Sequence, residues 1–200
     1  MIMEIKKYNE KFPLIVIDDF YNQESLESIW EELNFLCYPS KLENPETSRG
    51  AVDDNGGELK NIGSIFLSQI YSNFTKSNIF LESLETQKVL VEVFKDHDSW
   101  FFQNFYHKGV NTLVSYYENG GYYKAHQDAS IATVLNWFYK EPKRFEGGDL
   151  HFPDYDMTIK VKNNRLIVFP SCIRHEVFKV EMEEQDCNKK LGRFCVTHFL

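Results

Sequence analysis

The sequence lacks any cluster of basic residues. The chain of 200 residues has 22 Lys and Arg against 30 Asp and Glu, which gives a formal net charge of −8. A protein that neutralises nucleic-acid phosphates needs a basic face, and no run of Lys or Arg provides one. We therefore predict that nucleic acid is not the partner.

Long apolar runs and paired cysteine motifs are also absent. The longest early apolar run, Leu14 to Ile17, is far too short to span a bilayer, and residues 1–10 are charged without an apolar signal core. The cysteines show no zinc-knuckle or redox spacing; they are Cys37, Cys172, Cys187 and Cys195. These absences predict no membrane partner, free thiols and a cytoplasmic location.

Aromatic residues, by contrast, are plentiful. The chain has 17 Phe and 11 Tyr, and aromatics make up 16% of its residues. Large rings pack well on a pleated surface, so this composition favours strand-rich structure. With 42% hydrophobic residues the chain can bury one core. We predict one domain over residues 1–200, with a helical N-terminal support in 1–99 and a β core in 100–200.

The N-terminal part predicts a strand followed by helices. Residues 14–19 have the pattern of a short buried strand, and Asn22 then offers a helix N-cap. Apolar residues recur behind it at helical spacing, which predicts an amphipathic helix packed on an apolar surface; they are Leu26, Ile29, Trp30, Leu33 and Cys37. Helical spacing returns weakly over 62–71 and again over 87–94.

Residues 39–61 form a polar stretch rich in Asn, Gly and Glu, without a clear period. An irregular stretch of this length in a compact domain is usually a functional or a mobile loop. We predict a lid over the substrate, with Arg49 in it; the alternative is an ordinary surface loop.

From residue 100 onward, short runs of β-branched and aromatic residues alternate with turn signals such as Asn119-Gly120-Gly121. The candidate strands are 100–107, 112–117, 122–127, 131–138, 149–152, 157–161, 165–169, 175–180 and 193–199. Strands of this number and spacing predict a sandwich, a jelly roll or a barrel. The N-terminal helices would pack across one sheet.

Two short segments carry candidate metal ligands. His126 and Asp128 stand two residues apart at the end of a candidate strand, where side chains at that spacing point to the same face. His175 begins another candidate strand. Two His and one carboxylate leave one hemisphere of a metal open, as non-haem iron(II) oxygenases require. The His-x-Asp pair alone is a weak motif, and a surface hydrogen-bonded pair is its alternative interpretation.

Residues 117–128, Tyr-Glu-Asn-Gly-Gly-Tyr-Tyr-Lys-Ala-His-Gln-Asp, strengthen the metal interpretation. They resemble the Tyr-x-x-Gly-x-x-Tyr-x-x-His-x-Asp signature of the prolyl-4-hydroxylase-like branch of the Fe(II)/2-oxoglutarate-dependent dioxygenase superfamily. Further segments resemble that family in the expected order, so that the resemblance covers about residues 112–200; they are 133–137, 146–150, 164–177 and 192–197.

The resemblance implies a fold, a cofactor set and site residues. It implies a mostly β, α+β architecture: a double-stranded β-helix, or jelly roll, with helices packed on one sheet. His126, Asp128 and His175 would bind Fe(II). Arg193 would hold the distal carboxylate of 2-oxoglutarate, with Tyr117 facing the same co-substrate. A planar guanidinium suits a carboxylate, because it can donate two parallel hydrogen bonds. Dioxygen would be the second co-substrate, and ascorbate is a candidate reductant.

The chain departs from the family pattern at two places. Trp137 stands where the family often has a Tyr whose hydroxyl helps to hold the co-substrate, and an indole N–H can only donate. In addition, 18 residues (193 − 175) separate His175 from Arg193, longer than the usual gap. We predict that residues 181–186 form a hairpin insertion that absorbs the excess; otherwise Lys189 or Lys190 would replace Arg193.

Other reactive residues receive structural interpretations. We predict that His97 and His107 are structural or exposed and that His151 points away from the metal, where it could line an entrance. His198 falls out of register with Arg193 on their strand, whereas Cys195, Thr197 and Phe199 would share its interior face. Cys172 is predicted to lie near the metal in a small, buried, apolar role.

The predicted function is hydroxylation of a C–H bond with release of succinate and carbon dioxide. The resemblance favours a prolyl or other residue of a peptide or protein as substrate, and a free amino acid or small metabolite is the alternative. A cupin-like metal-binding jelly roll would need no Arg193 and would ignore 2-oxoglutarate. A nucleic-acid demethylase would need basic surface, and a catalytically silent relative would not need all three ligands.

Overall fold

The computed structural model describes residues 3–37, 40–43 and 57–200. Its helices are α1 (Gln23–Cys37), α2 (Leu67–Ile70), α3 (Asn78–Lys95) and α4 (Trp100–Gln103). Its strands are β1 (Glu4–Tyr8), β2 (Leu14–Asp18), β3 (Lys60–Asn61), β4 (Gly63–Phe66), β5 (Asn111–Tyr117), β6 (Tyr122–His126), β7 (Ala132–Phe138), β8 (Phe145–Gly147), β9 (Leu150–Phe152), β10 (Met157–Ile159), β11 (Arg165–Pro170), β12 (His175–Val177), β13 (Val180–Met182) and β14 (Arg193–Phe199).

Two antiparallel sheets pack face to face. The larger sheet has the order β1-β2-β11-β7-β14-β5-β4, and the smaller one has the order β10-β9-β12-β6-β3. Strands β8 and β13 pair as a separate ribbon. The chain passes back and forth between the sheets, since β5 and β7 belong to the larger and β6 to the smaller. This is a double-stranded β-helix, and it confirms the predicted fold class.

The central strands of the larger sheet are buried on both faces, whereas its edge strand β1 is exposed. Every residue of β7 is buried, and so is all of β14 except Phe199. Between the sheets lies an apolar cluster in which the ring centroid of Phe152 is 4.8 Å from that of Phe12 and 5.1 Å from that of Phe169. A second cluster joins the outer face of the same sheet to the helices. The helices therefore cover one sheet, as predicted.

Helix α1 begins where the sequence predicts. Asn22 accepts a hydrogen bond at Oδ1 from the backbone N–H of Ser25, at 2.9 Å. Such a cap satisfies a backbone donor that the first turn of a helix leaves without a partner. The apolar face of α1, with Ile29, Leu33 and Leu36, is buried against the larger sheet. Burial of one such side chain stabilises the fold by about 1.5–3 kcal/mol.

Glu32 connects α1 to the start of α3. Its carboxylate is 4% exposed and accepts hydrogen bonds from the Ser77 hydroxyl at 2.9 and 3.0 Å and from the backbone N–H of Ile79 at 2.7 Å. Ser77 in turn caps α3, because its hydroxyl accepts from the backbone N–H of Phe80. A buried charge is tolerated when donors surround it in this way.

Some predicted elements were wrong in type. The predicted strand 100–107 begins as helix α4, because Ser99 caps the turn and Phe102 stacks on Phe94 of α3 at 4.8 Å. The weak helical prediction over 62–71 covers strand β4 and only the short helix α2. β4 forms because its backbone pairs with β5 and becomes the edge strand of the larger sheet, a tertiary contact that local spacing does not reveal. Strand 175–180 divides into β12 and the start of β13.

Part of the predicted lid lies outside the described residues. This holds for Pro39 and for residues 44–56, including Arg49, so the lid stays a prediction. The described end of the segment forms β3, which extends the smaller sheet beside β6. Throughout the described part of the chain, no helix is both long and apolar enough to cross a membrane.

Candidate metal centre

The three predicted ligands meet at one end of the smaller sheet. His126 ends β6 and His175 begins β12, and the two residues are direct partners across this antiparallel pair. Their ring centroids are 4.4 Å apart. Asp128 follows two residues after His126, where the strand has ended. One donor atom from each of the three side chains lies within 4.8 Å of the others.

Backbone carbonyls determine which nitrogen of each imidazole faces the centre. The Nδ1 of His126 lies 2.8 Å from the Lys124 carbonyl oxygen, and the Nδ1 of His175 lies 2.9 Å from the Ile173 carbonyl oxygen. A carbonyl oxygen can only accept, so Nδ1 carries the proton in both rings. The lone pair is then on Nε2, which is the arrangement expected of a metal-binding histidine.

The Nε2 atoms point toward the carboxylate. That of His126 lies 3.7 Å from Asp128 Oδ1, and that of His175 lies 3.5 Å from Asp128 Oδ2. Burial lowers the pKa of His126 to about 4, and the repulsion that a protonated His175 would exert adds to this effect. Burial also lowers the pKa of His175. Both rings are therefore neutral at pH 7, as metal binding requires.

Aromatic neighbours hold the two imidazoles in place. The Tyr123 ring stacks on His126 with 3.7 Å between centroids and 12° between planes. On the other side, Phe169 meets His175 edge-on at 4.8 Å and 72°. Tight packing of this kind restricts rotation of the rings and keeps both Nε2 atoms directed at the same point.

Hydrogen bonds fix the carboxylate and its backbone. The Thr133 hydroxyl donates to Asp128 Oδ2 at 2.5 Å. The Asp128 backbone N–H donates to the Ser171 carbonyl at 3.1 Å. The side-chain amide of Gln127 donates to the Cys172 carbonyl. The turn after β6 is therefore attached to the turn after β11, although the two are far apart in sequence.

A cavity between the sheets extends from the triad toward β14. Side chains of both sheets line it: Leu113, Ser115, Tyr117, Tyr123, His126, Asp128, Leu135, Leu150, His175, Val177, Arg193, Cys195, Thr197 and Phe199. Cys195, Thr197 and Phe199 share the interior face of β14 with Arg193, as strand alternation predicts.

Arg193 is the notable member of this lining, because it is 0% exposed. None of its three guanidinium nitrogens has a hydrogen-bond partner among the residues that the structure describes. Its Cζ lies 4.6 Å from the ring centroid of Tyr117 and 4.9 Å from that of Trp137. Stacking on two rings does not replace hydrogen bonds, and an unpaired buried charge costs several kcal/mol. The site therefore fits an anionic ligand with oxygen acceptors.

Two further donors lie beside Arg193: Tyr117 lines the same cavity, and the Trp137 ring packs against the guanidinium. The indole Nε1 of Trp137 is also buried without a partner among the described residues. Burial raises the pKa of Tyr117, although the charge of Arg193 partly opposes this shift, so its phenol keeps its proton. Every one of these groups can donate, and the donor set suits a carboxylate.

A glycine leaves room for the Arg193 side chain. Gly148 has a φ of +73°, and a Cβ at this position would lie 3.0 Å from both Arg193 Cδ and Val180 Cγ2. Only glycine combines this left-handed backbone with such a close approach. The turn from 146 to 150, which resembles the family's Gly-Gly turn, thus contacts the candidate co-substrate site from outside the ligand motif.

The alternatives to Arg193 lie elsewhere. Lys189 is exposed, and the Lys190 ammonium lies 4.7 Å from the ring centroid of Tyr116, a side chain that packs in the outer cluster. β13 pairs with β8 and a short turn follows at 184–186, so the additional residues after His175 are accommodated outside the sandwich. Arg193 keeps the first position of β14, directly opposite Tyr117.

The other histidines lie outside the triad. His198 is buried on the opposite face of β14, where its Nδ1 lies 3.0 Å from the Thr112 hydroxyl. His151 contacts Thr158 through Nδ1 at 2.9 Å and stacks on Phe178. His97 accepts at Nδ1 from the Ser99 backbone N–H. His107 is half-buried, with its Nδ1 beside the Gly109 carbonyl.

The prediction for Cys172 was wrong in one respect. The backbone of Cys172 contacts Gln127 in the turn that holds Asp128, but the Cys172 side chain is exposed, not buried. Cys172 lies in the turn after β11, where its backbone carbonyl, and not its thiol, makes the inward contact. Sequence reasoning also overlooked Leu113 and Ser115, although alternation with Tyr117 along β5 could have identified both.

Comparison with known proteins agrees with this geometry. The family model described as 2OG-Fe(II) oxygenase superfamily matches residues 112–200. An uncharacterized PKHD-type hydroxylase of Synechocystis sp. is 32% identical over 90 aligned residues, which cover 36% of this chain and 30% of the relative. The chain thus spans less than a third of the length of that relative.

Solved structures share the fold at low identity. A prolyl-4-hydroxylase from Pseudomonas putida matches with a TM-score of 0.61 and 15% identity, over 94% of this chain and 91% of that one. A prolyl hydroxylase from Trichoplax adhaerens, solved in complex with a hypoxia inducible factor oxygen degradation domain peptide fragment, matches with a TM-score of 0.62 and 15% identity. This match covers 93% of this chain and 82% of the other. Both similarities establish the fold of the described chain.

Proposed function

Because residues 112–200 match the family model of the 2OG-Fe(II) oxygenase superfamily, we propose that this protein is an Fe(II)- and 2-oxoglutarate-dependent dioxygenase that hydroxylates a C–H bond. The observation that carries the proposal is the position of Arg193 in the same cavity as the candidate triad. A buried guanidinium without a partner needs an anion, and the triad needs a metal. A co-substrate that chelates a metal bound by the triad and also carries a second carboxylate for the guanidinium would occupy both parts of the cavity.

The triad would hold the metal through two neutral imidazoles and one carboxylate. Fe(II), when bound with 2-oxoglutarate and dioxygen, supplies an oxidation that couples release of succinate and carbon dioxide to hydroxylation of a substrate C–H bond. His126 and His175 present Nε2 because carbonyl oxygens hold their Nδ1 protons. Asp128 contributes the negative charge. Ascorbate as a reductant stays a prediction that turnover with and without it would test.

Arg193 would bind the distal carboxylate of 2-oxoglutarate. The rings of Tyr117 and Trp137 exclude water from the guanidinium, which strengthens its attraction for an anion. A fork of parallel N–H groups also orients a planar carboxylate. In this proposal Trp137 contributes a wall and a donor, where the family often has a Tyr.

The first test measures succinate formed from 2-oxoglutarate. Asp128→Ala should abolish turnover, because it removes the only carboxylate of the triad.

Arg193→Gln should weaken 2-oxoglutarate binding by about 3–5 kcal/mol, roughly 100-fold or more. The metal-free Arg193→Gln protein should melt no lower than the wild type, since the substitution removes an unpaired buried charge. Arg174→Ala, at a half-exposed arginine paired with Asp154, is the control. Normal turnover by Asp128→Ala would refute the proposal.

We propose that the substrate is a prolyl or other residue of a peptide or protein. The likeness to prolyl hydroxylases, one of them in complex with a peptide, supports this class. A free amino acid or small metabolite is the alternative. Turnover of 2-oxoglutarate against matched panels of proline-containing peptides and free amino acids separates the two: stimulation by free amino acids alone would exclude the peptide class.

A cupin-like jelly roll without 2-oxoglutarate chemistry is the rival from another class. It would have no use for a buried Arg193 beside the metal. Metal binding without any effect of 2-oxoglutarate on the protein would favour that rival.

A further inference from the structure

A row of hydroxyl groups leads from the protein surface to Asp128. Thr133 Oγ1 lies 2.5 Å from Asp128 Oδ2, Ser171 Oγ lies 2.8 Å from Thr133 Oγ1, and Ser130 Oγ lies 2.6 Å from Ser171 Oγ. The hydroxyls come from different parts of the chain: the turn after β6, strand β7 and the turn after β11. Neither the ligand triad nor the co-substrate site includes them.

The direction of these hydrogen bonds follows from the carboxylate. An ionised carboxylate can only accept, so the single hydroxyl proton of Thr133 is committed to Asp128. Ser171 must then donate to Thr133. The Ser130 hydroxyl can donate to Ser171, or to the Ala132 carbonyl at 3.2 Å. The donors of the chain are aligned toward Asp128, and each bond in such a chain strengthens the next.

Burial makes this arrangement rigid. Thr133 and Ser171 are both 0% exposed, so water does not compete for their hydroxyls. The backbone supports the same geometry, because the Asp128 N–H donates to the Ser171 carbonyl and the Ser171 N–H donates to the Ile131 carbonyl, both at 3.1 Å. Rotation of the carboxylate would leave the buried Thr133 hydroxyl without its acceptor, which is unfavourable.

The hydroxyl row also distinguishes the two carboxylate oxygens. Each oxygen faces one imidazole, since Oδ1 lies 3.7 Å from Nε2 of His126 and Oδ2 lies 3.5 Å from Nε2 of His175. Oδ2 also accepts from Thr133, whereas Oδ1 accepts no hydrogen bond from any side chain in the described ranges and keeps its lone pairs free. We propose that Thr133, supported by Ser171, is a positioning residue that presents Asp128 to the metal through Oδ1. This inference rests on the proposed metal-binding function and adds residues outside the triad to it.

The test uses Co(II) as the probe, titrated into metal-free protein and followed by its visible absorption. Thr133→Val removes the donor and keeps the shape of the side chain, and Co(II) should bind about 10–100-fold more weakly. Thr133→Ser keeps the donor and should restore binding to within about 3-fold of the wild type, well inside that range. Unchanged Co(II) affinity of Thr133→Val would overturn the inference.

A matched control separates positioning from general destabilisation. Thr112→Val replaces another buried strand threonine, whose hydroxyl contacts His198 on the opposite face of the larger sheet. Thr112→Val should bind Co(II) as the wild type does, even if its melting temperature falls as much as that of Thr133→Val. Equal loss of Co(II) affinity in both variants would indicate a purely structural role and contradict the inference.

A double-variant cycle tests the direction of the row. Ser171→Ala should weaken Co(II) binding less than Thr133→Val does. Combined with Thr133→Val it should cause no further loss, because Ser171 acts through Thr133. Independent contributions would add, and additive losses would therefore overturn the proposed row. If the wild type itself bound no Co(II), the metal centre and this inference would fail together, whereas normal wild-type binding with an unaffected Thr133→Val would overturn the inference alone.

Discussion

At the scale of single residues, the site depends on polar groups that are buried and forced into one protonation state. His126 and His175 are neutral because burial opposes their charge, and their Nδ1 protons are directed to backbone carbonyls. Arg193 has the opposite chemistry, because a guanidinium donates hydrogen bonds and cannot accept them. The two imidazoles are therefore ready to bind a cation, and the arginine is ready to bind an anion.

Buried neutral histidines predict a pH-dependent stability of the metal-free protein. Burial lowers the pKa of His126 and of His198 to about 4, against 6.5 for an unburied imidazole. Between these values the unfolded chain binds protons that the folded chain does not, so stability falls as the pH decreases from 6.5 toward 4. His198 alone should contribute on the order of 3 kcal/mol to this loss.

Melting temperature against pH checks that expectation. His198→Gln should reduce the slope between pH 6.5 and 4, since it removes one of the groups that titrate only on unfolding. A metal-free protein whose melting temperature is constant over this interval would contradict it.

Gly148 predicts a link between a turn and the candidate co-substrate site. Gly148→Ala places a methyl group 3.0 Å from Arg193 Cδ on a left-handed backbone, so we expect a stability loss of about 1–2 kcal/mol together with weaker 2-oxoglutarate binding. Gly109→Ala is the control, because nothing lies within 4 Å of its added Cβ. Calorimetric titration with 2-oxoglutarate measures both variants, and equal affinities would show that Arg193 does not depend on this turn.

The sequence predicted the residues of the triad better than their surroundings. The motif around His126 and Asp128 identifies candidate ligands because strand alternation relates side chains that are close in sequence. The bond from Thr133 to Asp128 could not be predicted in the same way. It depends on Ser171, which comes from a different turn and reaches the row only after β7 and β11 have paired.

At the scale of secondary-structure elements, local signals were reliable where they agreed with tertiary packing. The Asn22 cap and the apolar face of α1 led to the correct helix, and β14 has the predicted limits. Residues 100–103 form a helix instead of the predicted strand, because the Ser99 cap and contact with α3 outweigh the strand preference of aromatic residues. The short strands β3 and β8 depend on their partners and carry no pattern of their own.

The contact between α1 and α3 predicts the effect of one substitution. Glu32→Ala would leave the Ser77 hydroxyl and the Ile79 N–H buried without their acceptor, so we expect a loss of about 2–4 kcal/mol in the free energy of unfolding. Urea denaturation measures this loss. Glu27→Ala, on the exposed side of α1, should change stability by less than about 0.5 kcal/mol. A loss at Glu32 no larger than at Glu27 would contradict the described contact.

At the scale of the whole molecule, the two sheets bring together groups that are distant in sequence. The smaller sheet holds His126 and His175 side by side, whereas the larger sheet supplies Tyr117, Trp137 and Arg193. The cavity between them therefore has a candidate cation site beside a candidate anion site. The absence of a nucleic-acid partner, which was predicted from the net charge of −8, stays a prediction together with the identity of the substrate.

The most direct measurement is anaerobic titration of the metal-free protein with Fe(II) and then 2-oxoglutarate, followed by visible absorption. A weak charge-transfer band should appear only when both are present. The band should be lost in Asp128→Ala and should require much higher 2-oxoglutarate in Arg193→Gln. A wild-type protein that binds Fe(II) but shows no response to 2-oxoglutarate, or an Asp128→Ala variant with the full band, would contradict the account.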